Sequence, residues 1–266
     1  MITSDTDAYN ILMSRLTQND ISKIEQQILN SVILLMNNYS FVNNQTYPRP
    51  FHPDLKKRKD PYFTLIAIIL SLRTTLENEQ KAVDLFMKKY NSIEDVINSD
   101  VKEIENTIHC AGMPQKKSLI ILNVSKFIFN NYSGDINNIN NNNIIDTREK
   151  LLQLPGIGEK SADCMLELAF NLPSIVIDTN VFRVINRMYF NSSNMNFESK
   201  KDISKIKNFL ENNIVKDYRI YQIIHTIILL HGKYICKSKP YCSKCIICDQ
   251  CQYYLNNSDV KQLKLF

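Results

Sequence analysis

The stretch LQLPGIGEKSADC, residues 152–164, decides the fold. The chain has 266 residues and only five glycines, and two of them, Gly156 and Gly158, stand here just after Pro155. TREKLLQL precedes the turn and EKSADCMLELAFN follows it, both with helical apolar spacing. Two helices joined by a PGIG turn form a hairpin, because glycine reaches positive φ and lets another backbone come close. The second helix then opens with unpaired N–H groups and the positive end of its dipole, which together make a backbone phosphate site. Ala162, Met165, Leu166 and Ala169 share one face and are expected in the core. Lys160 points the other way, as a surface residue, a phosphate contact or a working amine.

Outward from the hairpin the pattern is helix after helix. Ile21, Ile24, Ile28, Val32 and Leu35 recur at helical spacing over 20–38. YFTLIAIILSLR is apolar nearly all round, which predicts a buried central helix. Thr74 and Glu77 stand in capping-box spacing, and Ser92 and Asp100 are placed to cap two short helices. YPRPFHPDLKKRKDP, residues 47–61, reads as a Pro-rich basic linker, and DINNINNNNIID, residues 135–146, as a loop padded with Asn. No strand set emerges, so the fold class is all-α.

Apolar content of 44% and charged content of 22% are those of a soluble globular protein, and a net charge of +5 permits a polyanionic partner. The longest apolar run, LIAIILSL at 65–72, is too short to span a bilayer. No secretion signal is read at the N-terminus, so an intracellular location, cytoplasmic or nuclear, is expected. In a reducing compartment the seven cysteines are thiols or metal ligands rather than disulfides.

Five of the cysteines fall in CKSKPYCSKCIICDQC, residues 236–251. Such crowding is a metal signal, for zinc or an iron–sulfur cluster, and the compactness of the run favours a [4Fe–4S] cluster. Four thiolates suffice. Cys236, Cys242, Cys245 and Cys251 form one possible set, and Cys242, Cys245, Cys248 and Cys251 another. Lys237 and Lys239, with Lys233 and Lys244 nearby, make a basic patch suited to phosphates.

These residues together resemble a known family. LPGIGEKSADCMLELAF, then IVIDTNVFRVINRM, then LLHGKYIC and the terminal cysteines look like the helix-hairpin-helix base-excision DNA glycosylases, most closely the endonuclease III branch. The resemblance implies two domains: a six-helix barrel over 61–171 carrying the helix-hairpin-helix at 147–171, and a discontinuous domain of 1–60 and 172–266 whose loop 236–251 holds a [4Fe–4S] cluster. Residue by residue, it implies that Lys160 is the nucleophile and Asp178 the catalytic aspartate, facing each other across a DNA groove. Gly156 and Gly158 are the hairpin glycines on the DNA backbone. Arg73, in SLRTT, plugs the gap left by an extruded base, and Met113, in AGMPQKK, is a wedge on the other strand. Cys236, Cys242, Cys245 and Cys251 are the cluster ligands. The partner implied is double-stranded DNA with damaged bases or abasic sites, bound by a monomer with no membrane involved. The chain departs from the pattern in a first cysteine gap one residue shorter, in the extra Cys248, in Pro114, and in Asn180 where a histidine is common.

The chemistry suits the residues. A base inside a duplex is reached only after its nucleotide is flipped out. A neutral lysine amine attacks C1′ and forms a Schiff base, and β-elimination then nicks the strand. A carboxylate steers protons and stabilises the cationic sugar. The activity expected is glycosylase with AP lyase on oxidised pyrimidines. The alternatives are a glycosylase for an oxidised purine or a mismatched base, and a non-catalytic DNA-binding protein. Asp178 also stands where it can cap TNVFRVINRM, and His231, on an apolar helix, reads as structural.

Overall fold

The computed structural model describes residues 5–42 and 60–257. Among the described residues there is no β-strand, so the all-α expectation holds. The stretch 47–61 lies outside the described residues, except for its last two, Asp60 and Pro61. The described residues fall into two compact units, one of 5–42 with 175–257 and the other of 60–174.

The unit of 60–174 is built round the helix Pro61–Ser71. Asp60 caps it by accepting from the Tyr62 N–H at 2.7 Å, and Pro61 occupies the first turn, where a missing N–H costs nothing. Leu65, Ile66, Ile69 and Leu70 are fully buried, because the helices Leu76–Lys89, Pro114–Tyr132 and Glu159–Leu168 all pack on it. Ser92 and Asp95 form a capping box on Ile93–Ile97, and Asp100 caps Val101–Thr107, as their positions in the sequence predict.

Two local expectations are corrected. The cap of Leu76–Lys89 is Thr75, whose hydroxyl accepts from the Asn78 N–H, and not Thr74. The Thr74 hydroxyl instead accepts from the Gly112 N–H at 3.3 Å, so a tertiary contact takes it from the helix. The Asn-rich stretch is folded and not padding. Asp135 caps a 3-10 turn, Ile136–Ile139, whose two isoleucines are buried, and the Asn143 side chain accepts from the Ile145 and Asp146 N–H groups to start Ile144–Leu152. Asn serves there as a cap, which a compositional reading overlooks.

The other unit packs the helices Asp5–Leu16, Lys23–Val42, Thr179–Ile185, Lys200–Asn213 and Tyr218–Tyr234 round Leu12, Leu29, Val32, Val181, Ile185 and Ile224. The helix expected over 20–38 starts at Lys23 and runs to Val42. A buried ion pair ties its start to the first helix: Arg15 donates through Nε and Nη2 to the two Glu25 oxygens at 2.9 and 2.7 Å. Glu25 also accepts from the Val215 N–H at 2.9 Å, which fixes a third chain segment. A turn of π-helix, Asn186–Phe190, follows Thr179–Ile185, and two 3-10 turns carry the cysteine run.

Candidate functional site

The hairpin glycines have different reasons to be glycine. Gly156 has φ +79°, and a Cβ there would lie 2.8 Å from the Ile120 side chain. Gly158 does not share that conformation: it is extended, at φ −102° and ψ 179°. A Cβ on Gly158 would have nothing within 4 Å. Gly158 is the N-cap of Glu159–Leu168 and supplies no side-chain cap. Gly158 therefore offers no side-chain acceptor to the helix start, and the space where its Cβ would stand is open. Lys160 is exposed at the second helical position, and Ala162, Met165 and Leu166 are buried behind it, while Ala169 is only half-buried. Arg148, which the sequence reading passed over, braces the hairpin: its Nε donates to Asp163 at 2.9 Å across the two helices. The Ser174 hydroxyl donates to the same carboxylate oxygen at 3.1 Å.

Arg73 and Met113 lie on neighbouring loops of this unit. Both are exposed, and both take left-handed backbone, at φ +50° and +57°. Such a conformation is uncommon for side chains of this size and marks a shape imposed by surrounding structure. Gly112 is what joins the loops: a Cβ on it would stand 2.3 Å from the Arg73 carbonyl oxygen. Lys117 is buried beneath them, and its ammonium donates to the Leu70 carbonyl at 2.7 Å. Burial pulls this amine below its ordinary value, with Glu79 opposing the shift in part.

Asp178 lies in the other unit and is buried at the start of Thr179–Ile185. One of its oxygens accepts from the Asn180 and Val181 N–H groups at 2.9 and 2.7 Å, so it does cap this helix. Its second oxygen accepts from the Asn180 side-chain amide at 3.2 Å. Arg183 donates to the Asn180 side-chain oxygen at 2.8 Å and, through Nε, to the Cys236 carbonyl at 2.8 Å. A chain of hydrogen bonds thus runs from Asp178 to the first cysteine. Gly232 permits it, since a Cβ there would strike Asn180 at 2.7 Å.

All five cysteines of 236–251 line one pocket together with Arg187 and His231. Arg187 donates to the Cys236 sulfur at 3.3 Å and to the Lys237 and Ser238 carbonyls at 2.5 and 2.8 Å. Burial pushes the Cys242 thiol up to about 11 and the Cys245 thiol up to about 12. Thiolates in so apolar a pocket need a cation to form, and a soft metal centre supplies one. The donor set therefore fits a thiolate-bound cluster. Among the described residues, no three His, Cys, Asp or Glu side chains converge on a single metal ion. His231 is buried, with Nε2 at 3.7 Å from the Cys245 sulfur, and desolvation lowers its imidazole to about 4. Lys237 and Lys239 are exposed on the same loop. No helix among the described residues is long and apolar enough to cross a membrane.

Residues 66–231 match the family model of the HhH-GPD superfamily base excision DNA repair proteins. The chain is similar to endonuclease III of Haemophilus influenzae, at 29% identity over 204 residues, which is 76% of this chain and 89% of that protein. It is similar to endonuclease III of Sulfolobus acidocaldarius at 30% identity over 210 residues, 76% of this chain and 86% of the other. Among solved structures it resembles a thermostable thymine-DNA glycosylase, with a TM-score of 0.68 and 25% identity over 89% of this chain and all of the other. A trapped endonuclease III–DNA covalent intermediate shares the fold, with a TM-score of 0.67 at 24% identity, covering 87% of this chain and 97% of that one.

Proposed function

The chain belongs to the HhH-GPD superfamily of base excision DNA repair proteins, and from that premise we propose that it excises oxidised pyrimidines from duplex DNA and cuts the strand through a Schiff base on Lys160. It is a base excision repair glycosylase of the endonuclease III kind. The observation that carries the lysine assignment is local. Gly158 leaves a helix start without a side-chain cap beside open space, and Lys160 stands exposed two residues on. Nothing in the packing of Gly158 asks for glycine, so its bareness serves a partner, and a phosphate fits a helix N-terminus whose cap residue has no side chain.

Lys160 reacts as the free amine. Its Nζ attacks C1′, the bond from C1′ to the base breaks, and the base leaves with a proton from solvent. The sugar ring opens to an iminium, loss of a C2′ proton expels the 3′ phosphate, and water then frees the lysine. Asp178, fixed by its three hydrogen bonds, offers negative charge to the cationic sugar and a place for a proton. Arg73 and Met113, held in strained backbone, fill the hole left by the extruded nucleotide. Cys236, Cys242, Cys245 and Cys251 would hold a [4Fe–4S] cluster, which when bound cross-links the loop that carries Lys237 and Lys239 toward phosphates.

Borohydride trapping tests the reading. The protein is incubated with duplexes containing thymine glycol, an abasic site, 8-oxoguanine or a G:T mismatch, and reduced. A covalent band with thymine glycol, absent from Lys160→Gln, is expected. A band that persists in Lys160→Gln assigns the reaction to another amine. Trapping only on 8-oxoguanine or the mismatch overturns the pyrimidine preference.

A further inference from the structure

Six arginines lie among the described residues, and five of them are engaged within the protein. Arg15, Arg148 and Arg219 donate to carboxylates, and Arg183 and Arg187 donate to carbonyl oxygens. Arg73 differs. It is exposed, and among the described residues no hydrogen bond or ion pair takes up its guanidinium. Its main chain, by contrast, is held on both sides by the segment 112–117. The Lys117 ammonium donates to the Leu70 carbonyl at 2.7 Å, and the Gly112 N–H donates to the Thr74 hydroxyl at 3.3 Å. Between these two anchors Arg73 keeps a φ of +50°, which persists only where the surroundings impose it. A doubly anchored backbone thus presents a planar head with five N–H donors and no acceptor.

We propose that Arg73 selects the base opposite the lesion, and that the base it selects is guanine. The proposal rests on the reading of Arg73 as the plug of the gap. A plug in that gap stands beside the base that has lost its partner, whose edges are then open. Opposite an oxidised pyrimidine that base is adenine or guanine. Guanine sets two acceptors, O6 and N7, side by side, and a guanidinium meets them with two parallel bonds. Adenine sets its N6 amino group beside N7, so one guanidinium N–H would face another donor. A lysine could not make the distinction as well, because its ammonium is a point charge without the fork. Met113, on the neighbouring loop, has no N–H or O–H to read with and only fills space. Products of cytosine oxidation stand opposite guanine, and those of thymine opposite adenine. The substrates favoured within the oxidised pyrimidines are therefore those derived from cytosine.

The test uses the full-length protein and a duplex carrying one tetrahydrofuran abasic analogue opposite guanine or adenine. The analogue has no base, so the two duplexes differ only in the base left unpaired. Dissociation constants are measured by fluorescence anisotropy at fixed salt for wild type, Arg73→Met and Arg73→Gln. Each variant keeps a Cβ and so makes the same demand on the backbone. Wild type should bind the guanine duplex about tenfold or more tightly than the adenine duplex. Arg73→Met, without donors, should bind the two within about twofold of each other. Arg73→Gln should favour adenine, whose N6 and N7 suit an amide. Equal binding of the two duplexes by wild type would overturn the proposal. So would a guanine preference that survives in Arg73→Met. Single-turnover excision of 5-hydroxyuracil opposite each base, run beside the binding, tests the function separately. The guanine-to-adenine ratio of rates should be larger in wild type than in Arg73→Met. No excision from any duplex, with the guanine preference in binding intact, would sink the glycosylase reading and leave the base selection by Arg73 standing.

Discussion

The Lys117 ammonium donates to the Leu70 carbonyl at 2.7 Å from a fully buried position, and this bond closes the C-terminal end of the helix that leads into Arg73. It joins the base of the Arg73 loop to the first turn of Pro114–Tyr132, whose N-cap is Met113. Lys117→Met keeps the bulk and removes the donor, leaving Leu70 without that partner. The expected cost is about 1–3 kcal/mol by urea denaturation. Cleavage at an abasic site should fall further in duplex than in single-stranded DNA, because only the duplex leaves a hole for Arg73 and Met113 to fill.

Lys117 also makes stability depend on alkaline pH. Burial lowers its amine from the ordinary 10.5. Between that lowered value and 10.5 the unfolded chain binds more protons than the folded one, so stability rises with pH. The gap in stability between wild type and Lys117→Met should widen as pH rises through that window and stay flat well below it. Denaturation midpoints of both proteins from pH 7 to 11 measure it. A constant gap throughout would show that Lys117 keeps its proton equally in both states.

Gly156 and Gly158 should separate folding from binding. Gly156→Ala forces a side chain into left-handed backbone and against Ile120, at a cost of about 1–3 kcal/mol seen as a lower melting temperature. Gly158→Ala meets no neighbour and keeps an ordinary extended backbone, so its stability should stay within about 1 kcal/mol of wild type. Its affinity for duplex DNA, by fluorescence anisotropy at fixed salt, should drop about tenfold or more as a methyl group enters the phosphate's place.

Asp178 carries a cap and a charge, and two substitutions divide them. Asn caps as well as Asp, so Asp178→Asn should leave the melting temperature nearly unchanged. Its excision rate should fall by roughly a hundredfold or more, as developing positive charge loses its counterion. Asp178→Ala loses the cap too and should cost about 1 kcal/mol. Single-turnover excision and thermal melts on the two proteins read the two effects apart.

Much of this protein is legible along the chain. The PGIG turn between two periodic segments, the all-round apolar helix after Pro61, and the caps Ser92 and Asp100 depend on neighbours within a few residues. Local chemistry suffices for them. The crowding of five cysteines into 236–251 is likewise a fact of spacing.

Other features depend on which distant groups meet. Thr74 stands in capping-box spacing along the chain, yet the approach of Gly112 takes its hydroxyl and leaves Thr75 as the cap. The Asn-rich stretch is low in complexity, yet burial of Ile136 and Ile139 and capping by Asn143 give it a fixed shape. Arg148 and Lys117 look like solvated cations in one dimension, and only folding places Asp163 and the Leu70 carbonyl against them. The sequence by itself determined the helices, the hairpin and the residue types that carry the chemistry, because those follow from backbone preference and short spacing. The tertiary structure alone decided why Gly156 but not Gly158 is required for packing and what clamps Arg73 beside Met113, because each turns on contacts between residues far apart in the chain.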